Sequence, residues 1–122
     1  MTETTLFDPT GAPVAYIDHG DENTIYSFEG GPLAYVDQGD NVYGFNGSHL
    51  GWFQGDVLWD HSGARAGFTQ AMSPVFTQFE PFKGFKQFKP FKGFKQFAPF
   101  QPFKNSTATN MPLHDWLARG RA

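Results

Sequence analysis

The sequence predicts an all-β protein: a small closed antiparallel barrel of four quasi-symmetric β-hairpin repeats, then a Phe/Lys tail of period three and a short C-terminal helix. Three observations lead there. A hairpin-length motif recurs four times, marked by Gly11, Gly30, Gly47 and Gly63 at spacings of 19, 17 and 16. Ten phenylalanines then follow one another at an unbroken interval of three, from Phe76 to Phe103. Finally, Leu113, Trp116 and Leu117 recur at helical spacing near the end of the chain. The 122 residues thus divide into 1–70, 71–104 and 105–122.

The four copies run from Leu6 (LFDPTGAPVAYID), Ile25 (IYSFEGGPLAYVD), Val42 (VYGFNGSHLGWFQ) and Leu58 (LWDHSGARAGFT). Each reads as two short strands. The first opens on an aliphatic–aromatic pair: Leu6-Phe7, Ile25-Tyr26, Val42-Tyr43, Leu58-Trp59. A turn follows, whose Gly supplies a positive φ at little steric cost. The second strand alternates, with Val14, Tyr16 and Asp18 expected on one face and Ala15 and Ile17 on the other. Gly-Asp pairs at 20–21, 39–40 and 55–56 join the copies. Sixty-odd residues cannot build a propeller of four-stranded blades, whereas closing four hairpins into one sheet removes the exposed edges.

Aligned copies produce columns. Tyr16, Tyr35, Trp52 and Phe68 share one position, and Phe7, Tyr26, Tyr43 and Trp59 share another. Next to the first lies a column of small residues, Ala15, Ala34, Gly51 and Gly67, which lets a neighbouring ring or backbone come close. Under fourfold pseudo-symmetry each column becomes a ring about an axis. The aromatic columns then either fill the core, or the one containing Tyr16, Tyr35, Trp52 and Phe68 lines an apolar mouth open to a ligand or acyl chain.

The shared G-x-P-[VL]-A-Y-[IV]-D of the first two copies and the G-S-H-L-G-W-F of the third resemble the β-flower family, also described as the four-fold β-flower domain, over roughly residues 5–70. The resemblance implies a shallow symmetric barrel of hairpins and a likeness to the lipid-binding Tubby C-terminal fold. It transfers no catalytic residue. WG-type and choline-binding repeats are set aside because their regular tryptophan pairs are missing.

In the tail, Phe76, Phe79, Phe82, Phe85, Phe88, Phe91, Phe94, Phe97, Phe100 and Phe103 form the period, and Lys83, Lys86, Lys89, Lys92, Lys95 and Lys104 each follow a Phe. A nine-residue unit, PFKGFKQFK, starts at Pro81 and returns from Pro90 as PFKGFKQFA. An α-helix would spiral these Phe right round its axis, and a strand would point them alternately to opposite faces. Only three residues per turn keeps them on one stripe, as in polyproline II or a 3₁₀-helix. Pro81, Pro90, Pro99 and Pro102 favour polyproline II, since each lacks the donor a 3₁₀-helix needs. Laid straight at ~3.1 Å per residue, the stripe would be about 85 Å long, three times the width of a 65-residue domain. It must therefore wrap, protrude, bundle with other copies or remain without fixed structure. Ordering it alone costs more entropy than its Phe can recover, so it needs a surface to rest on.

After the polar linker NSTAT, Asn110 is expected to cap a short helix with Pro112 in its first turn, and Gly120 to end it. Such a helix docks on its own domain or presents Trp116 as a second interfacial anchor.

Charge is divided unevenly. Residues 1–69 hold ten acids and one base, while residues 70–122 hold two acids and eight bases. The absence of Cys excludes disulfides and thiolate chemistry. No run approaches a membrane span and the N-terminus lacks a secretory pattern, so the expectation is a cytoplasmic chain, peripheral at a membrane at most. Asp18, Asp21 and Glu22 could hold a cation but lack a calcium-loop pattern, and Asp60-His61 is an acid–base pair without a nucleophile. His49 and His61 fall in hairpin turns, and His19 and His114 lack metal-ligand spacing. No catalytic residue, metal site or cofactor is therefore expected. An acidic domain also disfavours nucleic acid.

The function expected is a non-enzymatic binding module that meets lipid or an anionic membrane surface through the ten Phe, Lys83, Lys86, Lys89, Lys92, Lys95 and Trp116, with Phe at the interface and Lys near headgroups. The alternative is a structural or assembly protein, a homo-oligomer included, whose tail packs on its own or a neighbouring acidic barrel.

Overall fold

The computed structural model describes residues 3–37 and 39–121. Eight strands close into an antiparallel barrel in chain order: β1 (Glu3–Phe7), β2 (Pro13–Asp18), β3 (Thr24–Ser27), β4 (Pro32–Val36), β5 (Asn41–Gly44), β6 (His49–Gln54), β7 (Val57–Trp59) and β8 (Arg65–Phe68). The pairing of Phe7 with Phe68 joins the last strand to the first. The four anchor glycines all have positive φ, from 84° to 100°. Gly39-Asp40 and Gly55-Asp56 make tight joints with both residues at positive φ. The first joint differs from the expected Gly20-Asp21: its left-handed residues are Glu22 and Asn23, because this connection is longer.

One irregularity repeats in all four hairpins. The register slips between Leu6 and Phe7, Ile25 and Tyr26, Val42 and Tyr43, and Leu58 and Trp59. These are the four aliphatic–aromatic pairs. Opposite each, the second strand carries one residue too many: Val14, Leu33, Leu50 and Ala66. A bulge bends and twists a strand, which is what closing eight very short strands requires. It also breaks strict alternation. Val14 therefore packs with the Ala15 and Ile17 set, and not with Tyr16 as alternation predicts.

The core gathers Leu6, Ile25, Val42 and Leu58 with the bulged residues, Ala15 and Ala34. It is completed by α1 (Leu113–Ala118), which contributes Leu113, Trp116 and Leu117. The small-residue column receives this helix. A Cβ on Gly51 would meet the Trp116 ring, and one on Gly67 would meet Leu113. Trp116 is 1 % exposed, so the anchor role offered to it from the sequence gives way to a core role: α1 turns its single apolar face toward the barrel. Pro112, and not Asn110, is the N-cap, and it makes no side-chain cap bond. Past the helix, Gly120 touches Gly44 backbone to backbone and accepts a hydrogen bond from the Asn46 amide.

The aromatic columns do not form rings about the axis. They pair across neighbouring repeats as Tyr16 with Tyr26, Tyr35 with Tyr43, Trp52 with Trp59 and Phe68 with Phe7. The first two pairs stack at centroid distances of 5.8 and 6.1 Å and take in Phe28 and Phe45. These clusters are distinct from the core and lie on the wall of the barrel beneath the tail.

Candidate functional site

From the 3₁₀ turn at Gln70–Met72 the tail passes the four hairpins in order. The amides of Gln78, Gln87, Gln96 and Asn105 each donate to an anchor-glycine carbonyl, those of Gly11, Gly30, Gly47 and Gly63, at 2.9 Å. The donors are nine residues apart. One nine-residue unit of tail thus serves one hairpin, and the tail is a belt. Between the first and last of these anchors its contour is about 84 Å at ~3.1 Å per residue.

Three residues per turn explain every position of the unit. Polyproline II makes no internal hydrogen bonds, so its donors are free for a partner. In the column that faces the turns, Gln87 and Gln96 donate to glycine carbonyls, while Gly84 and Gly93 donate to Phe28 and Phe45 at 2.6 and 2.7 Å. Pro81, Pro90 and Pro99 occupy the same column between these positions, and Pro102 stands in the fourth unit where Gly84 and Gly93 stand in the second and third. Glycine is required on both sides of this contact. A Cβ on Gly84 or Gly93 would press on the Glu29 or Asn46 carbonyl at 2.5 or 2.8 Å. Side chains at Gly30 and Gly47 would run into the carbonyls of Phe85 and Phe94. Gln96 also grips the third hairpin at two further points. Its side-chain oxygen accepts from the His49 amide at 2.9 Å, and its carbonyl accepts from the Tyr43 hydroxyl at 2.8 Å.

The lysine column lies along the barrel wall. Lys83 sits 5.0 Å from the Tyr16 ring centre and 3.1 Å from Glu3. Lys86 lies between Tyr16 and Tyr26 and is ion-paired to Asp18. Lys89 reaches Asp21 at 2.6 Å and Glu22 at 3.2 Å, and Lys92 shares Glu22 and covers Tyr35 at 4.3 Å. Lys95 pairs with Asp37 at 2.7 Å over Tyr43, and Lys104 covers Trp59. The acids that the sequence offers to a cation therefore hold ammonium groups of the same chain. In the third repeat Gln54 replaces Asp18 and Asp37, and the belt replaces Lys83 and Lys92 by Gln101. The two amides bond at 2.9 Å. The Lys89 hydrogen bond, with that of Tyr26, holds Asp21 below the usual carboxylate range. The Asp18 and Asp21 contacts raise Lys86 and Lys89, outweighing partial burial.

The phenylalanine column is what remains. All ten, Phe76 to Phe103, are 98–102 % exposed. The belt's other two columns touch the barrel, so the third faces away from it. Tyr16, Tyr35, Trp52 and Phe68, offered as an apolar mouth, are at most 5 % exposed: lysines lie over Tyr16 and Tyr35, His49 and His61 pack edge-on against Trp52, and Phe68 clusters with Val57, Trp52 and Trp59. Charge separation and repeat count were visible in the sequence. The one-to-one register was not, although Gln78 and Asn105 extend the Gln87/Gln96 position to four units.

Beneath the third unit, His49 and His61 stack at 5.1 Å and bond Nδ1 to Nε2 at 2.8 Å. The Asn41 side-chain oxygen can only accept, so His49 Nε2–H donates to it at 2.9 Å. His49 Nδ1 is then the acceptor and His61 Nε2–H the donor. Burial, reinforced by the nearby His61, pushes His49 down to about 4, and burial also lowers His61. A histidine depressed on folding binds protons more readily when unfolded. Its contribution is full above pH 6.5 and is lost as pH falls to about 4, roughly 3 kcal/mol at ~1.4 kcal/mol per pH unit. Urea unfolding at pH 7, 5.5 and 4.5 is expected to show this decline, and His49→Gln to flatten it; an unchanged slope in the variant refutes the assignment.

Asp60 is partly buried, but hydrogen bonds from Thr109, Ser62 and the Ala64 amide keep its carboxyl low. These bonds close a turn and tie down the chain after the belt. Sequence comparison extends the picture beyond the barrel: a family model described as 4-fold beta flower protein matches residues 4–117, taking in the belt and α1. No curated protein and no solved structure matches the chain.

Proposed function

The chain belongs to the 4-fold beta flower family, and from that premise we propose that it is a non-enzymatic binding module whose phenylalanine belt inserts into the interface of a lipid bilayer. The single supporting observation is the belt's outer face, ten fully exposed Phe that pack against none of the described residues. Exposed apolar patches of this size mark interaction surfaces. At roughly 150 Å² or more per aromatic ring, the ten could bury about 1,500 Å². If only three Phe reach the hydrocarbon boundary, the gross gain is about 5–9 kcal/mol at roughly 1.5–3 kcal/mol each. Their spacing of about 9 Å along polyproline II leaves gaps that fluid acyl chains fill without demanding a register.

The lysines play a smaller part than composition suggests. Their charges are matched by Glu3, Asp18, Asp21, Glu22 and Asp37, which leaves little net attraction for headgroups. Binding is therefore driven by burial and responds weakly to salt. No helix among the described residues is long and apolar enough to cross a membrane; the contact is peripheral.

Vesicle co-sedimentation tests this reading. The chain is expected to sediment with neutral phosphatidylcholine vesicles, little more with phosphatidylserine present, and at both low and high salt. Changing Phe82, Phe85, Phe88 and Phe91 to Ser should cut the bound fraction several-fold without altering Tm, since none is packed. No sedimentation, or sedimentation indifferent to these substitutions, rejects it.

A further inference from the structure

In three hairpins, the belt residue just before the donor to the anchor glycine is a lysine lying over the aromatic of the first strand. Lys86, before Gln87, is 5.5 Å from the Tyr26 ring centre; Lys95, before Gln96, is 5.7 Å from Tyr43; Lys104, before Asn105, is 5.1 Å from Trp59. The first hairpin breaks the series. Its aromatic is Phe7, and the residue before Gln78 is Thr77. Pro74 likewise stands nine residues ahead of Lys83. The belt therefore brings no ammonium to this wall. Barrel closure is also thinnest here. Strands β2 and β3 share four register pairs, and β4–β5 and β6–β7 share three each, whereas β8 and β1 share only Phe7 with Phe68.

A groove follows the thin seam. One part, about 540 Å³, is lined by Phe7, Gln70, Thr77 and Glu80. A second part, about 290 Å³, shares Phe7, Gln70 and Glu80 and reaches Glu3, Asp56 and Thr69. Gln70 takes the strand position of Asp18 and Asp37, so the carboxylates come from elsewhere. Lys83 is divided between Glu3 at 3.1 Å and Glu80 at 3.6 Å, and Asp56 has no ion pair among the described residues. Thr69 is 5 % exposed, and its Oγ1 has no hydrogen-bond partner among the described residues.

We infer that the β8–β1 groove is a binding site for a primary alkylammonium ligand, whose cation lies by Phe7 where the other three hairpins receive a lysine of the belt. Carboxylates and a lone hydroxyl oxygen call for N–H donors, and an ammonium offers three. The ring attracts the same charge. An anion is repelled by Asp56 and Glu80, and a neutral alcohol leaves both carboxylates without a counter-charge. The open groove admits an alkyl stem alongside Phe79, which lines its outer end. Both a free amine and an ethanolamine headgroup carry this chemistry. The inference stands apart from lipid binding, since a free amine reaches the groove without a bilayer.

Titration of the isotope-labelled full chain with n-butylammonium, a lysine side chain without its backbone, tests this by NMR at constant ionic strength. The amides of Thr69, Gln70 and Thr77 are expected to shift saturably, and n-butanol to leave them in place. Thr77→Lys restores the lysine that the other hairpins have and should abolish the titration by filling the groove from within. Asp56→Asn with Glu80→Gln should weaken binding several-fold, and it keeps the test decisive if the lysine variant misfolds. Co-sedimentation with phosphatidylcholine vesicles, with and without phosphatidylethanolamine, separates the sources. An excess with phosphatidylethanolamine that Thr77→Lys removes identifies the headgroup; butylammonium binding without that excess identifies a free amine. No saturable shift in the wild type, equal shifts with n-butanol, or undiminished binding in both variants overturns the inference.

Discussion

Replacing Trp116 by alanine is expected to cost about 3–5 kcal/mol of stability, and to lower Tm by about 10–30 degrees at roughly 3–6 °C per kcal/mol for a chain of this size. Trp116 is 1 % exposed, and its ring lies where a Cβ on Gly51 would be. Helix α1 has only six residues, too few to persist without this contact. The loss should therefore spread: the Asn46–Gly120 hydrogen bond and the Arg119 guanidinium contact to the Leu50 carbonyl depend on the same docking. Differential scanning calorimetry on Trp116→Ala and Trp116→Phe measures the effect. A Tm within a few degrees of wild type for the alanine variant would restore Trp116 to the surface role that the sequence alone allowed.

Gly30→Ala should displace the second belt unit, and Gly55→Ala provides its control. Both positions have positive φ, 100° and 59°, so both incur the left-handed cost of roughly 1–2 kcal/mol. Nothing lies within 4 Å of a Cβ at Gly55, whereas at Gly30 it collides with the Phe85 carbonyl. The second belt unit must then lift, losing the Gln87–Gly30 and Gly84–Phe28 hydrogen bonds. Hydrogen exchange is expected to show Gln87 and Gly84 losing protection by more than tenfold in Gly30→Ala while Gly93 and Gln96 stay protected. Equal behaviour of the two alanine variants would mean that the belt does not rest on the anchor glycine.

Much of the architecture follows from local chemistry. Positive φ at the anchor glycines, the aliphatic–aromatic opening of each hairpin, and the exclusion of α-helix and strand by a three-residue period all depend on residues close in sequence. Four equivalent hairpins leave few ways to satisfy sheet edges other than closure. The family match confirms the barrel and extends past it. Less legible was alternation on the second strands: the bulges at Val14, Leu33, Leu50 and Ala66 arise from closing the sheet, a demand that no single strand expresses.

By itself, then, the sequence determined the repeat, its turns, the polyproline II period and the separation of charge, because steric limits on φ and the side-chain period act over a few residues. Only the tertiary structure decided where each stripe points. Lys86 finding Asp18, Gln101 finding Gln54, Trp116 entering the core and ten Phe left facing outward all depend on groups tens of residues apart. Composition marks Phe as inner and Lys as outer. Here the order is reversed, because the belt's backbone donors and ammonium groups need the barrel's carbonyls and carboxylates, and a three-sided ribbon with two sides engaged must turn its third away.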